Sequence, residues 1–285
     1  MNPVVKANLI FTALMLLGAI VLAQMGWYVA HQMWGVPLAW NVLQYCVSGA
    51  QDTIVGRDVI VYILNLAVIY TLARIAWRTA KQLILTSKWM RAFRNDTHHG
   101  HTSRLNAEFR EWKTEIIVVK DAGFVALSIG MLRPRIVIST GLLAMFTEEE
   151  VRAILLHERY HCQRRDPLQA FMTALTKDSM GYIPLVRTLA HHYATWQELL
   201  ADRYAMKQMG TEYYLGSVLM KLSSLARVRR DAATVPFASN EINYRILQVL
   251  QPDQTIHVPF SFGKPLMFTI ALLCVVTGFT AGSCS

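Results

Sequence analysis

The sequence predicts an α+β membrane protein, in which transmembrane helices accompany a mainly helical domain with a small β-sheet. The composition is apolar: hydrophobic residues make up 53% of the 285 residues and charged residues only 16%, against about 25% charged residues in an average soluble domain. The apolar residues are concentrated in long runs. Between these runs, short β-branched stretches precede a well-marked helix start, which indicates a folded domain of mixed structure.

Three runs predict transmembrane helices. Residues 9–30 contain no charged side chain, and at about 1.5 Å per residue this run is long enough to cross the hydrocarbon core. The other two runs are residues 59–73 and 266–282. A secretory signal peptide is an alternative for the first run, with Val21-Leu22-Ala23 as its cleavage site. The second run follows closely, which favours a retained anchor.

Basic residues predict the orientation of these helices. Six lysines and arginines lie between residues 74 and 94, whereas loop 31–58 contains Arg57 alone. The positive-inside rule therefore places the segment after the second run in the cytoplasm. We predict two transmembrane helices with an extracellular loop 31–58 in residues 1–80. A cytoplasmic or membrane-apposed domain follows in residues 81–263, and a last transmembrane helix and short tail in residues 264–285.

The net charge of +9 is interpreted as a topology signal with some attraction to anionic lipid. No recognition motif accompanies the basic residues, so direct nucleic-acid binding is not expected. Residues 168–189 form a further apolar segment, but three charged residues inside it favour a partly buried or membrane-apposed helix. The histidine-rich stretch 95–103 predicts a solvated loop. The four cysteines include no CxxC pair, which argues against a cysteine-rich zinc ribbon.

The middle of the chain predicts a small sheet followed by helices. β-branched runs separated by turn residues predict three strands, at residues 116–119, 125–129 and 136–138. Thr147 and Glu150 have capping-box spacing, so a helix should begin at Glu148 and end near Gln163. Further helical patterns cover residues 194–209, 213–227 and 240–250.

A candidate zinc site lies on the capped helix. His157-Glu158-Arg159-Tyr160-His161 has the HExxH pattern, which places two imidazoles four residues apart on one helical face, where both can reach one Zn²⁺. Glu158 is the candidate catalytic base, because it lies between the two ligands and can accept a proton from water. The alternative is a helix surface on which the two histidines only pack or pair with Glu158.

A catalytic zinc ion needs a third protein ligand, and Glu198 on a later predicted helix is the candidate. Asp202 lies one turn further along the same face and can accept a hydrogen bond from a ligating imidazole. The alternative for Glu198 is an exposed carboxylate that pairs with a neighbouring basic residue. Asp166 is a rival carboxylate, better suited to capping a helix or pairing with Arg164 or Arg165.

The site predicts peptide hydrolysis of an extended substrate, which would join an edge of the small sheet as an added strand. The donor that would stabilise the oxyanion is left open among five residues: His191, His192, Tyr193, Tyr204 and Arg245.

From Val125 the run VALSIGMLRPRIVISTGLLAMFTEEEVRAILLHERYHCQRRDPLQ resembles the β-lactam-sensing antirepressor (BlaR/MecR) family of bacterial membrane metallopeptidases. The resemblance rests on several motifs in order: Leu132 to Ile136, Gly141-Leu142-Leu143, the HExxH motif, Arg165-Asp166-Pro167, Glu198 to Asp202, and Tyr244-Arg245-Ile246. It extends from about Val59 to the last span. Arg165, Asp166 and Arg245 in these motifs are candidates for a structural or substrate-binding role.

The resemblance implies a gluzincin-type zinc domain on the cytoplasmic side of the bacterial inner membrane. In this family the domain is activated by signalling and cleaves itself or a cytosolic transcriptional repressor. The family's antibiotic sensors carry an extracellular penicillin-binding domain after the last span, and this chain ends there. A short member is expected to answer a sensor partner protein or its own loop 31–58.

Two other functions fit the same residues. An HtpX-like quality-control membrane protease shares HExxH followed by an acidic motif, although the motifs around Leu132 and Asp166 favour the antirepressor family. A non-catalytic membrane receptor or scaffold would retain zinc for structure alone. The presence of Glu158 does not favour that function. A structural zinc site has four protein ligands and no open coordination position at which a base could act.

Overall fold

Helices make up most of the part of the chain that the computed structural model describes. That part comprises residues 2–35, 54–229, 237–252, 254, 256, 258–259 and 263–270, with no side chains described at 54–61, 225–229 and 237–241. The helices are α1 Pro3–Trp34, α2 Ile54–Asn95, α3 His99–Glu108, α4 Thr140–Met145, α5 Glu148–Arg164, α6 Asp166–Met180, α7 Pro184–Met209, α8 Tyr213–Arg229 and α9 Phe237–Leu250. The strands are β1 Ile116–Val119, β2 Ala126–Ile129 and β3 Arg135–Ser139. The predicted mainly helical fold with a small sheet is confirmed.

The chain divides into two compact units. As far as they are described, residues 8–81, 172–192 and 260–285 form the helical unit, and residues 1–7, 82–171 and 193–259 form the sheet unit. Each unit has a core of its own. In the helical unit, Met25 and Tyr28 of α1 pack against Val68 of α2.

Helix α1 is long and apolar enough to cross a membrane by length and composition, and it is the one such helix among the residues that the structure describes. The second predicted span, residues 59–73, lies inside α2, which continues to Asn95. The third predicted span, 266–282, lies mostly outside the described residues, as does most of loop 31–58. Membrane crossing by residues 59–73 and 266–282 therefore stays a prediction.

The apolar segment 168–189 is broken into two helices, so its interpretation as one helix was wrong. Helix α6 ends at Met180 and α7 begins at Pro184. Proline is favoured in the first turn of a helix and cannot continue one. At Gly181 a Cβ atom would lie 2.5 Å from the Lys177 carbonyl oxygen, so this tight turn requires glycine. Nearby, the Asp178 carboxylate pairs with Arg78 of α2 at 3.1 Å.

The prediction of a loop at residues 95–103 was also wrong in part, because α3 begins at His99. The side chain of His98 caps this helix by accepting a hydrogen bond from the His101 amide at 3.3 Å. Helix α3 also uses Asn106, whose side chain accepts from the Ile116 amide at 3.0 Å and donates to the Ile116 carbonyl at 2.6 Å. A polar helix thus covers the outer edge of β1.

The sheet has the order β1-β3-β2, with β1 parallel and β2 antiparallel to β3. Strand β3 is central and its residues Ile136 to Ile138 are fully buried. Among the described strands, β2 has a partner on one side alone. Its outer edge is therefore available to an additional strand.

Helix α5 begins as the capping box predicts. The Thr147 hydroxyl accepts from the Glu150 amide at 3.3 Å, and the Glu150 carboxylate accepts from the Thr147 amide at 2.9 Å. The same carboxylate is buried and accepts from Ser217 at 2.6 Å and from Lys221 at 2.7 Å. These bonds fix the start of α5 against α8 and so position the histidine motif further along the helix.

Candidate metal centre

Helix α5 presents His157, Glu158 and His161 on one buried face of the sheet unit. Each is less than 9% exposed. The Nε2 atoms of His157 and His161 lie 3.1 Å apart, as expected for side chains separated by one helical turn that point at a common position.

Helix α7 brings the predicted third ligand to the same position. The Glu198 carboxylate oxygens lie 3.5 Å from His157 Nε2 and 3.6 Å from His161 Nε2. One donor atom from each of the three residues lies within 4.8 Å of the other two. The structure therefore gathers residues that are distant in sequence into one compact donor set.

The outer ring nitrogens of both histidines contact carboxylates. His157 Nδ1 lies 2.9 Å from Asp202 Oδ1, the contact expected from the spacing of Glu198 and Asp202. His161 Nδ1 lies 2.8 Å from Asp166 Oδ2, a contact that was not predicted. Each Nδ1–H can donate to its carboxylate, and a ring that does so has Nε2 as the atom that can face a metal.

Asp166 reaches His161 through a tight turn at the end of α5. Arg165 caps the helix in the left-handed region, with φ 55°, and its amide donates to the Cys162 carbonyl. The chain then enters α6 at Asp166, which is 4% exposed. Pairing of Asp166 with Arg164 was considered from the sequence, and that distance is 3.8 Å, longer than its contact with His161. The Arg165 side chain is exposed, and its predicted substrate-binding role stays a prediction.

Helix α9 carries Arg245, the positively charged side chain that contacts the carboxylates of this centre. Arg245 donates to both oxygens of Asp202, at 2.7 and 2.8 Å, and its Nη1 lies 2.9 Å from Glu198 Oε2. One turn later, the Gln248 side chain donates to the Leu199 carbonyl at 2.8 Å and holds α9 against α7. Arg245 thus connects the candidate ligand Glu198 to the carboxylate that contacts His157.

These contacts shift the pKa values of His157, Glu198 and Asp202. Burial lowers the pKa of His157, but its bonds to Asp202 and Glu198 outweigh burial and raise that pKa to about 10. Burial also opposes ionisation of Glu198 and Asp202, yet His157 and Arg245 hold the pKa of both carboxyls below the usual values. The carboxylates therefore stay ionised at neutral pH.

A cavity of about 410 Å³ opens onto this centre. Glu158, both histidines and Glu198 line it, together with the β2 residues Ala126 to Ser128. The remaining wall is largely apolar and includes Phe124, Ile154, Leu215, Val218, Leu219 and Leu222. The cavity thus combines the polar donor set with an apolar wall.

Among the five residues considered as oxyanion donors, Arg245 lines this cavity in the described structure. The Tyr193 hydroxyl is hydrogen-bonded to the side chains of Gln169 and Gln197. The Tyr204 ring packs against Tyr160, with ring centroids 5.3 Å apart. His191 and His192 belong to the helical unit.

The donor set fits a zinc ion. Two imidazole nitrogens that each lie about 2.0–2.1 Å from a tetrahedral zinc are about 3.3 Å apart, close to the 3.1 Å between the two Nε2 atoms. Two histidines and a glutamate form one of the ligand sets of catalytic zinc, which leave a fourth position open. The carboxylate behind each imidazole also matches the usual surroundings of such ligands.

Comparisons with known proteins agree with this description. Residues 44–249, well over half of the chain, match the sequence profile of the BlaR1 peptidase M56 family. The chain is also 30% identical, over 157 residues, to the Regulatory protein BlaR1 of Bacillus licheniformis. That match covers 53% of this chain and 26% of the Bacillus protein, so the chain spans well under two thirds of this relative's length.

Proposed function

This chain belongs to the BlaR1 peptidase M56 family, and on that premise we propose that it is a membrane-embedded, zinc-dependent endopeptidase. His157, His161 and Glu198 would hold the metal, and Glu158 would be the catalytic base. The convergence of these three donors beside a buried glutamate in one cavity carries the proposal. Family membership supports peptidase chemistry, and the donor set supports zinc.

Four residues of the centre would have distinct roles in hydrolysis. When bound, zinc would acidify water and polarise the scissile carbonyl. Glu158 accepts a proton from the attacking water and returns it to the leaving amine. Asp202 and Asp166 orient the two imidazoles through Nδ1, which keeps the Nε2 atoms free for the metal. Arg245 fixes Asp202 and Glu198 in place.

The sheet edge and the cavity define the substrate class. A peptide that adds to the outer edge of β2 would form backbone hydrogen bonds there, since that edge has no described strand partner. The apolar wall formed by Phe124, Ile154 and the α8 leucines favours an apolar side chain close to the cleaved bond. The proposed substrate is therefore an extended segment of a protein.

The relative in Bacillus licheniformis is named a regulatory protein, which supports a role in signalling proteolysis of a repressor or a membrane protein. We propose that residues 1–80 form two helices that cross the bacterial inner membrane and are joined by the extracellular loop 31–58, and that residues 264–285 form a last span and a short tail. Residues 81–263 would then lie on the cytoplasmic side or against the membrane.

Metal removal tests the proposal. The chain purified in mild detergent should contain stoichiometric zinc, and a strong chelator should remove both the zinc and the cleavage of a denatured protein substrate. Addition of zinc should restore cleavage, because the donors are already held together by Asp166, Asp202 and Arg245. Cleavage that continues after complete zinc removal, as measured by elemental analysis, would refute zinc-dependent peptidase activity.

Replacement of Arg245 by methionine should destabilise the metal-free protein by about 1–3 kcal/mol, since the fully buried Asp202 would lose both bonds from the guanidinium and keep its contact with His157. Zinc affinity should also fall by about 10–100-fold. Urea unfolding in the presence of a chelator measures the first effect, and competition with a chromogenic chelator measures the second.

The matched control is Arg110→Met, at an exposed arginine of the sheet unit. This control should change neither quantity appreciably. If Arg245→Met and Arg110→Met have the same free energy of unfolding and the same zinc affinity, Arg245 does not position the ligands.

A further inference from the structure

A second pocket of the sheet unit, the arginine pocket, is lined by four arginines. It measures about 310 Å³. Arg91 and Arg94 come from the last turns of α2, Arg133 from the turn between β2 and β3, and Arg135 from the start of β3. The other lining residues are Thr86, Ser87 and Met90. None of the lining residues that the structure describes is acidic.

Most of the positive charge of the arginine pocket is uncompensated. Arg135 pairs with Glu115 at 3.0 Å. Arg91 donates to the Ser87 carbonyl at 3.3 Å, a neutral acceptor. Arg91, Arg94 and Arg133 are exposed, and within the described structure none of the three has a carboxylate partner. A concave site lined by one sign of charge attracts ligands of the opposite sign.

The arginine pocket lies well beyond the predicted transmembrane part of α2. This helix continues without a break from the predicted span 59–73 to Asn95. Residues 86–94 therefore follow the end of that span by about 20–30 Å along the helix, at about 1.5 Å per residue. The headgroup layer adds only about 5–8 Å on each side of the hydrocarbon core. On this topology the pocket takes its ligand from the aqueous phase.

The arginine pocket adjoins one end of β2, the strand with a free outer edge among the described strands. Strand β2 ends at Ile129, which is in register with Arg135 of β3, and the turn that follows carries Arg133. Residues 126–128, nearer the start of β2, line the cavity of the candidate metal centre. A peptide added along β2 would therefore run from the metal centre towards the arginine pocket.

The pocket and the metal centre lie on opposite faces of the sheet. Ala126 packs against the core that contains α5 residues, whereas Ile129 and Phe93 of α2 pack against the core of the other face. Arg135 precedes Ile136, which belongs to the α5 face, so Arg135 points to the α2 face. Successive side chains of an added strand alternate in the same way. One set would face the metal centre and the other would face α2.

We propose that the arginine pocket binds acidic side chains of the protein substrate, on the segment that continues past the Ile129 end of β2. This role of the pocket rests on the proposed peptidase function. Arginine forms paired, charge-assisted hydrogen bonds with carboxylates. The chain from Ser128 to Arg133 spans at most about 17 Å. The acidic residues should therefore lie about 3–6 positions from the cleaved bond, on one side of it.

The first test offers a library of tryptic peptides from a cell lysate to the zinc-loaded full chain in mild detergent, and mass spectrometry reads the residues around each newly cleaved bond. The double variant Arg94→Gln/Arg133→Gln removes two unpaired pocket charges. The matched control, Arg110→Gln/Lys120→Gln, removes two exposed charges outside the pocket. We expect Asp and Glu to be enriched at least about threefold at these positions with the wild type and the control. The pocket variant should lose this enrichment.

A second measurement separates substrate binding from chemistry. One cleaved peptide is compared with a version in which Asn and Gln replace its Asp and Glu residues. For the wild type, the amide version should have a KM at least about fivefold higher and an unchanged kcat, because the pocket lies away from the reacting atoms. The pocket variant should cleave the two peptides with the same KM.

The outcomes distinguish this role of the pocket from the peptidase function. Cleavage by the wild type without acidic enrichment would overturn the role of the pocket and leave the peptidase function standing. Enrichment that persists in the pocket variant would place the acidic residues elsewhere, and equal loss in both double variants would show a general effect of net charge. Absence of zinc-dependent cleavage by the wild type would overturn the peptidase function and the pocket's role with it.

Discussion

The substitution Glu158→Gln is expected to lower the rate of proteolysis by about 10³-fold or more. The zinc content should stay unchanged. Glutamine keeps the size of the side chain but cannot accept the proton of the attacking water, and general base catalysis contributes about 10²–10⁴-fold. The metal should remain, because Glu158 is not in the compact donor set of His157, His161 and Glu198. This combination separates the role of a base from the role of a ligand.

The measurement compares newly formed protein N-termini in cells that produce the wild-type chain, Glu158→Gln or Glu149→Gln. Glu149 lies in the exposed first turn of the same helix, so its variant controls for the loss of one negative charge. Products present with the wild type and Glu149→Gln, and absent with Glu158→Gln, would identify the substrate. The assignment of the base is wrong if all three proteins give the same products and contain equal zinc.

Glu198→Gln is expected to weaken zinc binding by more than about 100-fold and to remove activity with it. The amide carries no negative charge and is a poor zinc ligand. Asp166→Asn should have a smaller effect, about 10–100-fold, because Asp166 contacts the outer nitrogen of His161 and orients the ring. The ranking of the two variants distinguishes a ligand from its supporting carboxylate.

Competition with a chromogenic chelator gives both affinities, and Glu212→Gln, at an exposed residue before α8, is the control. The wild type and the control should bind zinc equally. A greater loss in Asp166→Asn than in Glu198→Gln would reverse the two assignments and make Asp166 the third ligand.

Local patterns predicted the helix that carries the histidine motif. The start of α5 depends on Thr147 and Glu150, which interact within one turn, so the sequence contains all the information needed. The face shared by His157 and His161 also follows from helical periodicity alone. Glu198 and Asp202 were proposed on the same grounds, and they lie 3.5 Å and 2.9 Å from His157 Nε2 and Nδ1; their roles stay a prediction.

The contact between Asp166 and His161 was missed because it depends on one backbone conformation. Five residues separate the two positions, and a continuous helix would carry Asp166 away from the imidazole. The left-handed Arg165 redirects the chain at this point. An acidic residue directly after a helix end and before Pro167 was the available signal, and it was interpreted as a cap.

Two element boundaries were missed for different reasons. The histidine-rich stretch that begins α3 has no apolar periodicity, since this helix is held through polar bonds to β1. The break between α6 and α7 has a local signal, Gly181 and Pro184, but the apolar run around it was given more weight. The start of α3 is different, because tertiary contacts that a local pattern does not contain determine it.

The position of Arg245 in the chain has a consequence during synthesis. The metal donors on α5 and α7 leave the ribosome well before α9, which carries the guanidinium bound to Asp202 and Glu198. Until then the nascent centre holds these two carboxylates without that counterion. The candidate metal centre would therefore reach its final charge balance late in translation, after most of residues 81–263 have been made.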